Sequence, residues 1–165
     1  MQAKIKAIIV DDEESARDVL SNLIIRFCPQ IEIIKTCSNV PDAVKAIKSH
    51  QPHVVFLDIE MPNYAGYEIV SFFEEINFEI IFVTAYDKYA IKAFEISAVD
   101  YLLKPVEIDR LKAAVEKLAT KIELNDAHNN YKALTQNLKS NELTKIAIKQ
   151  NGNHIIIDTK DVIAI

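Results

Sequence analysis

Polar side chains stand at the ends of four hydrophobic runs in this sequence, and runs of this kind are typical of strands buried in a parallel sheet. Each run ends abruptly on a carboxylate, a hydroxyl or an ammonium group. Because the carboxyl ends of parallel strands face one crevice of an α/β sheet, we expect these groups to converge there. The residues that follow or end the four runs are Asp11 and Asp12, Asp58, Thr84, and Lys104.

The three acidic residues among them predict a metal site. Carboxylates held a few ångströms apart repel one another unless a cation joins them. Oxygen ligands and water suit octahedral Mg²⁺, so Asp11, Asp12 and Asp58 predict a magnesium ion that would also offset the charge of an incoming phosphoryl group. A competing interpretation makes Asp11 or Asp12 a helix cap and Asp58 an ordinary loop acid. The coincidence of all three with a hydroxyl and an ammonium at strand ends argues against it.

Strands and helices alternate over residues 4–123, and this alternation must position the polar groups. It predicts an α/β fold, a doubly wound five-stranded parallel sheet of the flavodoxin-like type with strand order 2-1-3-4-5. A short β segment follows it near the end of the chain. The strands are predicted at residues 4–10, 31–37, 53–57, 79–83 and 99–103.

The helices are predicted from apolar residues at helical spacing and from capping residues. Asn39 with Pro41 suits the start of the second helix, and Asp87 is expected to cap the fourth. The fifth helix carries an apolar stripe at spacings of three and four: Ile108, Leu111, Val115, Leu118 and Ile122. The five helices are predicted at residues 11–27, 39–50, 66–76, 88–96 and 106–123.

Composition limits the function classes. The chain has 165 residues, half of them hydrophobic, and a formal net charge of -5, which argues against a protein that binds polyanions over its whole surface. Lys4 and Lys6 interrupt the apolar start, so we expect no signal peptide, and no apolar stretch is long enough to span a bilayer. Cys28 and Cys37 lack the spacing of a metal site, so we expect two buried thiols in a protein of the reduced cytoplasm.

The last part of the chain follows a different pattern. Residues 124–142 are polar and predict either a linker or an extension of the fifth helix. From Lys145 onward apolar and polar residues alternate, with a hairpin signal at Asn151-Gly152 and a third strand predicted at 162–165. Three short strands cannot bury a core of their own. We therefore expect residues 143–165 to be the incomplete beginning of a second domain.

The polar residues of the first part resemble those of the receiver domain of bacterial two-component response regulators. The resemblance covers residues 4 to about 123. A receiver is a signalling phosphoacceptor rather than an enzyme with a separate substrate, because it catalyses only its own phosphorylation and dephosphorylation. The motifs that carry the resemblance are Asp11-Asp12, Asp58 with Met61-Pro62 and Gly66, Thr84-Ala85, and Tyr101 ahead of Lys104-Pro105.

This resemblance implies a role for each acidic residue. Asp58 would accept a phosphoryl group from a sensor histidine kinase. Asp11 and Asp12 would form the acidic pocket, and Mg²⁺ would be held by this pocket, by Asp58 and by the backbone carbonyl of Glu60.

It also implies how the signal is passed on. Thr84 and Lys104 would hold phosphoryl oxygens, and Tyr101 would act as an aromatic switch that follows Thr84. The surface formed by the fourth helix, the fifth strand and the fifth helix would then change, and we expect a homodimer to form through it on phosphorylation.

A second, shorter resemblance concerns the output. Residues 84–95 are similar to receivers that are joined to DNA-binding domains of the LytTR (LytR/AlgR) type, and residues 145–165 resemble the opening strands of such a domain. This implies control of transcription through an output domain. Contact with DNA is expected only through the part of that domain that is missing here, and no membrane partner is expected.

Two other classes of protein remain open. One is a magnesium-dependent phosphatase on a similar sheet, which also uses a strand-end Asp as nucleophile. Such enzymes usually need a second Asp two residues further as general acid, whereas this sequence has Glu60 there. The other is a pseudo-receiver, an interaction module with an inactive site, and the complete set of polar residues argues against it.

Overall fold

The computed structural model describes residues 3–140, 145–150 and 153–158. By its internal contacts the chain divides into two compact units, Met1–Lys121 and Ile122–Ile165. The first unit contains every residue for which the sequence predicts a role in chemistry or switching.

Five parallel strands form the sheet of the first unit. They are β1 (Ile5–Val10), β2 (Ile31–Cys37), β3 (Val54–Leu57), β4 (Glu79–Thr84) and β5 (Asp100–Leu103). Their order in the sheet is β2-β1-β3-β4-β5, and all four neighbouring pairs run parallel. The predicted doubly wound, flavodoxin-like fold is confirmed, and the strand order reverses direction between β1 and β3.

The central strand β3 is buried on both faces, as its uninterrupted apolar sequence predicts. All four of its residues are shielded from solvent. Val55 and Leu57 belong to a core cluster that also contains Ile47 and Ile69. Because a shift of this strand by one residue would break the packing on both faces, the position of the next residue, Asp58, is fixed at the edge of the sheet.

Four α-helices and one 3₁₀ helix connect or follow these strands: α1 (Glu14–Phe27), α2 (Val40–His50), the 3₁₀ helix η1 (Gly66–Phe72), α3 (Ala90–Ile96) and α4 (Ile108–Ser140). The predicted cap of α2 is confirmed, since the Asn39 side chain accepts a hydrogen bond of 2.8 Å from the backbone N–H of Asp42. The predicted fourth and fifth helices correspond to α3 and α4.

The prediction of a regular third helix over residues 66–76 was wrong. The structure has the shorter η1 there, and Phe73 takes an extended backbone conformation directly after it. The Phe73 ring packs edge-on against Phe78, with ring centroids 5.2 Å apart. This contact places the partly buried Phe73 against the core cluster, and a continued helix would turn its side chain in another direction.

The start of the fourth helix also differs from the prediction. Helix α3 begins at Ala90, and Tyr89 rather than Asp87 occupies the position before it. Asp87 takes part through its backbone carbonyl, which accepts a hydrogen bond of 3.3 Å from Ala90. A turn therefore separates β4 from α3, and it brings residues 86–89 beside the polar edge of the sheet.

The part of helix α4 that belongs to the first unit packs against the rest of that unit through most of its predicted apolar stripe. Leu111, Val115 and Leu118 are fully buried, whereas Ile108 remains 39% exposed. Asp100 ties the same helix to β5, because its carboxylate lies 3.1 Å from Arg110 and 3.2 Å from Lys117.

Asp100→Asn should destabilise the protein in a pH-dependent way. Burial alone would raise the pKa of Asp100, but the N–H of Tyr101 and the cations of Lys117 and Arg110 outweigh it and lower the pKa. The stabilisation, about 1 kcal/mol, is therefore complete above the unfolded-state pKa of about 3.9 and is lost as the pH falls through the lower folded-state value. Urea unfolding of parent and variant at several pH values measures the difference in their free energies of unfolding. Equal stability at neutral pH would contradict the prediction.

The second unit consists of the rest of α4 and a β-hairpin. Of the two alternatives for residues 124–142, the structure has helix through Ser140. Strands β6 (Lys145–Gln150) and β7 (Asn153–Asp158) pair antiparallel, with Lys145 opposite Asp158. The turn predicted at Asn151-Gly152 and the third strand predicted at 162–165 lie outside the described residues.

The two cysteines and the apolar character of the helices agree with the expectations from composition. Cys28 and Cys37 are both buried and both free, as predicted. Burial raises the pKa of each thiol. Within the described ranges, none of the helices has the length and apolar character needed to cross a membrane.

Candidate functional site

Asp11, Asp58 and Lys104 meet at the carboxyl end of the sheet, as the strand ends predict. The Lys104 Nζ lies 2.6 Å from Asp11 Oδ2 and 3.2 Å from Asp58 Oδ2. Both carboxylates are buried, with 5% and 7% of the residue surface of Asp11 and Asp58 exposed. One ammonium group therefore bridges two buried carboxylates that come from two different strands.

Backbone hydrogen bonds fix these residues beyond the formal ends of the strands. The N–H of Asp11 donates to Cys37, that of Asp58 donates to Val10, and that of Lys104 donates to Thr84, at 3.1, 2.9 and 2.9 Å. The parallel ladder thus continues one residue past β1, β3 and β5. Because the backbone of these three residues is hydrogen-bonded into the sheet, the positions of their side chains relative to one another do not depend on the conformation of a loop.

The Asp58 carboxyl is held in an environment that disfavours its charge. Burial, and after it the negative charge of Asp11, raise the pKa of Asp58, while the ammonium of Lys104 acts in the opposite direction. The backbone N–H of Ile59 donates a hydrogen bond of 2.7 Å to Asp58 Oδ1. One oxygen of Asp58 is thus oriented by the backbone, and the other faces Lys104.

The Lys104 ammonium is charged despite its partial burial. Burial would lower its pKa, but the hydrogen bond that Lys104 donates to Asp11 and the negative charges of Asp58 and Asp11 outweigh burial, so the pKa of Lys104 is raised. A permanent positive charge at this point can pair with a carboxylate or with an oxygen of a phosphoryl group.

Asp12 completes the acidic cluster. Carboxylate oxygens of Asp11, Asp12 and Asp58 all lie within 4.8 Å of one another, and Asp12 is the exposed member. Three carboxylates with one ammonium leave net negative charge, and an all-oxygen donor set with an open side suits Mg²⁺, which keeps several waters. The residues therefore fit the predicted ion.

Gly66 permits the loop after β3 to close tightly. A Cβ atom at this position would lie 1.9 Å from the backbone oxygen of Asp58 and 3.1 Å from Leu57. The N–H of Gly66 donates a hydrogen bond of 2.7 Å to the carbonyl of Ile59. The backbone of η1 thus rests directly against the backbone that carries Asp58, which only a glycine allows.

Thr84 has a buried hydroxyl that is not satisfied. The residue is fully shielded from solvent, and in the part of the chain that the structure describes its Oγ1 lacks a hydrogen-bond partner. A buried hydroxyl without a partner costs about 1–3 kcal/mol, so such groups are rare and call for an explanation. An oxygen of a group bound beside Asp58 would supply one.

Tyr101 contacts the loop between β4 and α3 rather than the acidic cluster. Its hydroxyl donates a hydrogen bond to the backbone carbonyl of Tyr86, and its ring packs against Phe82 with centroids 6.2 Å apart. The residue is half-buried on β5. It therefore connects β5 to the segment that directly follows Thr84.

The side chain of Glu60 has partners that the sequence analysis missed. Its Oε1 accepts a hydrogen bond of 2.7 Å from the Tyr89 hydroxyl and lies 3.3 Å from Lys88 Nζ. The hydrogen bond with Tyr89 is the first cause of a lowered pKa of Glu60. A pairing between residues 29 positions apart depends on the shape of two loops, and the sequence carries no periodic signal for it.

Arg17 is a second residue that sequence reasoning did not assign to the site. Its guanidinium donates a hydrogen bond of 2.7 Å to the backbone carbonyl of Asp11. Arg17 lies in the first turn of α1, and its hydrogen bond stabilises the preceding loop, which carries Asp11 and Asp12. Helical spacing places Arg17 on the face of α1 near this loop, so the sequence gives a weak indication of the contact.

Comparison with known proteins agrees with this geometry. The sequence matches the family model described as "Response regulator receiver domain" over residues 7–116. The chain belongs to the response regulator receiver family. A receiver domain is the part of a two-component system that takes part in signalling as a phosphoacceptor.

Curated relatives support the same assignment. The chain is 44% identical over 133 residues to an uncharacterized response regulatory protein of Vibrio cholerae, an alignment that covers 80% of this chain and 54% of the relative. It is 44% identical over 115 residues to the transcriptional regulatory protein BtsR of Escherichia coli, covering 69% of this chain and 48% of BtsR. The chain thus spans about half the length of these relatives.

Solved receiver structures share the fold. The response regulatory domain of mrkE from Klebsiella pneumoniae is 34% identical, with a TM-score of 0.66 over 73% of this chain and 99% of that domain. The receiver domain of AraT from Geobacillus stearothermophilus is 29% identical, with a TM-score of 0.66 over 74% of this chain and 98% of that domain. Almost the whole of each solved domain therefore has a counterpart in this chain.

Proposed function

We propose that this chain accepts a phosphoryl group on Asp58 from a sensor histidine kinase, in a reaction that depends on Mg²⁺. The observation that carries the proposal is the buried Asp58 carboxylate, which lies 3.2 Å from the Lys104 ammonium within a three-carboxylate cluster. Membership of the receiver family supports it. The ion would be held by Asp11, Asp12, Asp58 and the backbone carbonyl of Glu60.

The chain's own residues can carry out the transfer. The Asp58 oxygen attacks the phosphorus atom in line with the departing histidine nitrogen, so an O–P bond forms as the N–P bond breaks. Lys104 is already placed to neutralise charge on a phosphoryl oxygen, and Mg²⁺ held by the three carboxylates would supply further charge neutralisation. The hydrogen bond from Ile59 to Asp58 Oδ1 keeps the carboxylate oriented during the attack.

The unsatisfied hydroxyl of Thr84 suggests how phosphorylation of Asp58 changes the conformation of the neighbouring strand and loop. A phosphoryl oxygen on Asp58 would supply the partner that Thr84 Oγ1 lacks among the described residues. A movement of Thr84 shifts the loop that follows it, and the Tyr101 hydroxyl is bonded to that loop at Tyr86. A local electrostatic change thereby acts on β5 through one aromatic residue.

The surface around α3, β5 and α4 is the expected output of this change. It presents several exposed apolar side chains, and on phosphorylation we expect two copies of the chain to pair through it. An unchanged sedimentation profile after full phosphorylation would count against this pairing. The exposed apolar residues of the surface are Ile91, Phe94, Leu103 and Ile108.

Control of transcription through a LytTR-type domain is the proposed output of the complete protein. In this division residues 1–123 are the receiver, 124–142 the linker or helix extension, and 143–165 the incomplete beginning of the output domain. A response regulatory protein of Yersinia pestis is 38% identical over 92% of this chain, which extends the similarity beyond the receiver. The name of BtsR as a transcriptional regulatory protein supports control of transcription, and the LytTR type of the output domain rests on the sequence resemblance alone.

Mass spectrometry of the intact protein tests the proposal. After incubation with a small phosphodonor and Mg²⁺, we expect one added phosphoryl group, and with a chelator in place of Mg²⁺ we expect a rate at least about 100-fold lower, since a charge-stabilising group at the reacting centre is lost. No addition under either condition, with the protein folded, would instead favour an interaction module with an inactive site.

A further inference from the structure

A cavity of about 450 Å³ opens beside β2, which is an edge strand of the sheet in the part of the chain that the structure describes. It is lined by residues 35–38, by the side of α2 that runs from Asp42 to His50, and by Arg17 of α1. We call it the edge cavity. It is separate from the acidic cluster, whose three carboxylates do not line it.

The edge cavity reaches the backbone of β2 as well as its side chains. Lys35, Thr36 and Cys37 are consecutive residues of the strand, and all three line the cavity. Because consecutive side chains of a strand point to opposite faces, a cavity that contacts all three must meet the strand from its side. The outer side of an edge strand carries N–H groups that no neighbouring strand uses. The cavity therefore has backbone donors in addition to its side chains.

Positive charge predominates in the edge cavity, although the chain as a whole has a formal net charge of -5. The lining includes the basic residues Arg17, Lys35 and Lys45, with one carboxylate, that of Asp42. Among the described residues neither Lys35 nor Lys45 has an ion-pair partner. Cations that share a cavity without partners favour the entry of negative charge.

These charges act on one point of the cavity, the buried thiol of Cys37. Burial is the first cause of the raised pKa of Cys37, and the positive charge of Lys35 lowers this pKa. The negative charge of Asp42 raises the pKa further, whereas the positive charge of Arg17 lowers it. Because the effect of a charge falls with distance, Lys35 and Arg17 both lie close to the thiol and hence to each other.

The size of the cavity and its donors indicate a small polar anion as ligand. Pockets for small molecules have volumes of about 300–1,000 Å³, so the edge cavity is large enough to hold one. Besides the basic residues it offers the hydroxyls of Thr36, Ser38 and Ser49, which can donate to phosphate or carboxylate oxygens. Its lining contains no Phe, Tyr or Trp, so a nucleobase would find no such ring to stack on.

Two residues of the edge cavity hold the backbone of Asp11. The Arg17 guanidinium donates a hydrogen bond of 2.7 Å to the Asp11 carbonyl, and the Asp11 N–H donates one of 3.1 Å to the Cys37 carbonyl. An arginine has five N–H donors, so Arg17 can bind a ligand while it stays bonded to Asp11. A ligand that fixes Arg17 thereby stabilises the loop that carries Asp11.

We propose that the edge cavity binds a small anion with at least two negative charges, carried by phosphate or carboxylate groups, and that the bound anion stabilises the loop of Asp11 through Arg17. Two charges balance the excess of basic over acidic side chains in the lining. The inference goes beyond the proposed function and does not depend on it, because the cavity needs neither Mg²⁺ nor a phosphoryl group on Asp58. A small molecule could then act on the acidic cluster from a second site.

Isothermal titration calorimetry with inorganic pyrophosphate and with citrate tests the binding. Divalent cations are removed from protein and buffer beforehand, so that neither anion can bind through a metal ion at the acidic cluster. We expect one anion per chain, with an affinity that falls as the salt concentration rises. Tighter binding of pyrophosphate supports a phosphate ligand, and tighter binding of citrate supports a carboxylate ligand.

Lys45→Gln removes one positive charge from the cavity and should weaken binding about tenfold. Lys48→Gln is the matched control, because Lys48 lies on the same helix outside the cavity, and it should leave the affinity unchanged. Both lysines are exposed, so both variants should remain folded. Three results would overturn the proposal: no binding of either anion to the parent, equal weakening by both substitutions, or binding of a tetraglutamate peptide alone, which would indicate pairing with the strand edge.

Amide hydrogen exchange measures the link to Asp11. With the cavity saturated by pyrophosphate, again without divalent cations, exchange of the Asp11 N–H should slow by about threefold or more, because Arg17 is fixed by the anion. The Val99 N–H, which donates to the Ile80 carbonyl near the opposite edge of the sheet, is the internal control and should exchange at an unchanged rate. Unchanged exchange at Asp11 while the anion is bound would overturn the link between the cavity and the acidic cluster.

Discussion

Asp58→Asn is expected to abolish phosphoryl uptake. The amide oxygen carries no charge and is a far weaker nucleophile than the carboxylate. Asp11 is the closer partner of Lys104, whose Nζ lies 2.6 Å from Asp11 Oδ2 and 3.2 Å from Asp58 Oδ2, so we expect Asp11 to remain paired with Lys104 and not to take over the reaction. We expect a loss of at least about 1000-fold in the rate of uptake from a small phosphodonor.

Asp18→Asn provides the matched control, because Asp18 is an exposed carboxylate on α1 outside the acidic cluster. It should take up one phosphoryl group at the rate of the parent. The asparagine at position 58 is nearly isosteric with aspartate, and it removes one of three mutually repelling charges, so the variant should remain folded. Stoichiometric uptake by Asp58→Asn at the parent's rate would place the acceptor elsewhere.

Gly66→Ala is expected to have the largest effect on stability. The added Cβ would need the space of the Asp58 backbone oxygen, 1.9 Å away, and this oxygen belongs to a rigid main chain rather than to a flexible side chain. Either η1 or the loop after β3 must move. We expect the free energy of unfolding to fall by about 3 kcal/mol, at the upper end of what overpacking usually costs.

Denaturant unfolding of Gly66→Ala and Asn63→Ala separates this clash from ordinary backbone strain. Asn63 lies in the same loop and has a positive φ of 72°, so its replacement by alanine should cost about 1 kcal/mol. A Gly66→Ala variant that is no less stable than Asn63→Ala would show that the two backbones do not pack as closely as described.

The sheet and the polar residues at its edge were predictable because both depend on strong local patterns. An apolar run such as 54–57 can only be buried on both faces, and burial of the run fixes where Asp58 must stand. The same reasoning placed Thr84 and Lys104, since parallel topology brings strand ends to one edge. Each of these predictions needed only the type of residue and its place in a run.

The prediction that failed, and the contacts that were missed, depend on side-chain packing that the local pattern of residues does not show. The apolar spacing around Phe72 and Phe73 is typical of a helix, but packing of Phe73 against Phe78 ends the helical conformation. Likewise, Glu60 is bonded to Tyr89 because two loops meet, and neither loop has a periodic sequence pattern from which the contact could be predicted. The unsatisfied hydroxyl of Thr84 could not be foreseen either, because it results from complete burial in the finished fold.

Location of the phosphoryl group by chemical trapping would test the central claim most directly. Borohydride reduces an acyl phosphate to an alcohol, so treatment of the phosphorylated protein should convert Asp58, and no other aspartate, to homoserine in the peptide that contains it. We predict this conversion after incubation with a phosphodonor and Mg²⁺, and its absence when Mg²⁺ is chelated. Conversion at Asp11 or Asp12, or a phosphoryl group that resists reduction, would contradict the assignment of Asp58 as the phosphoacceptor.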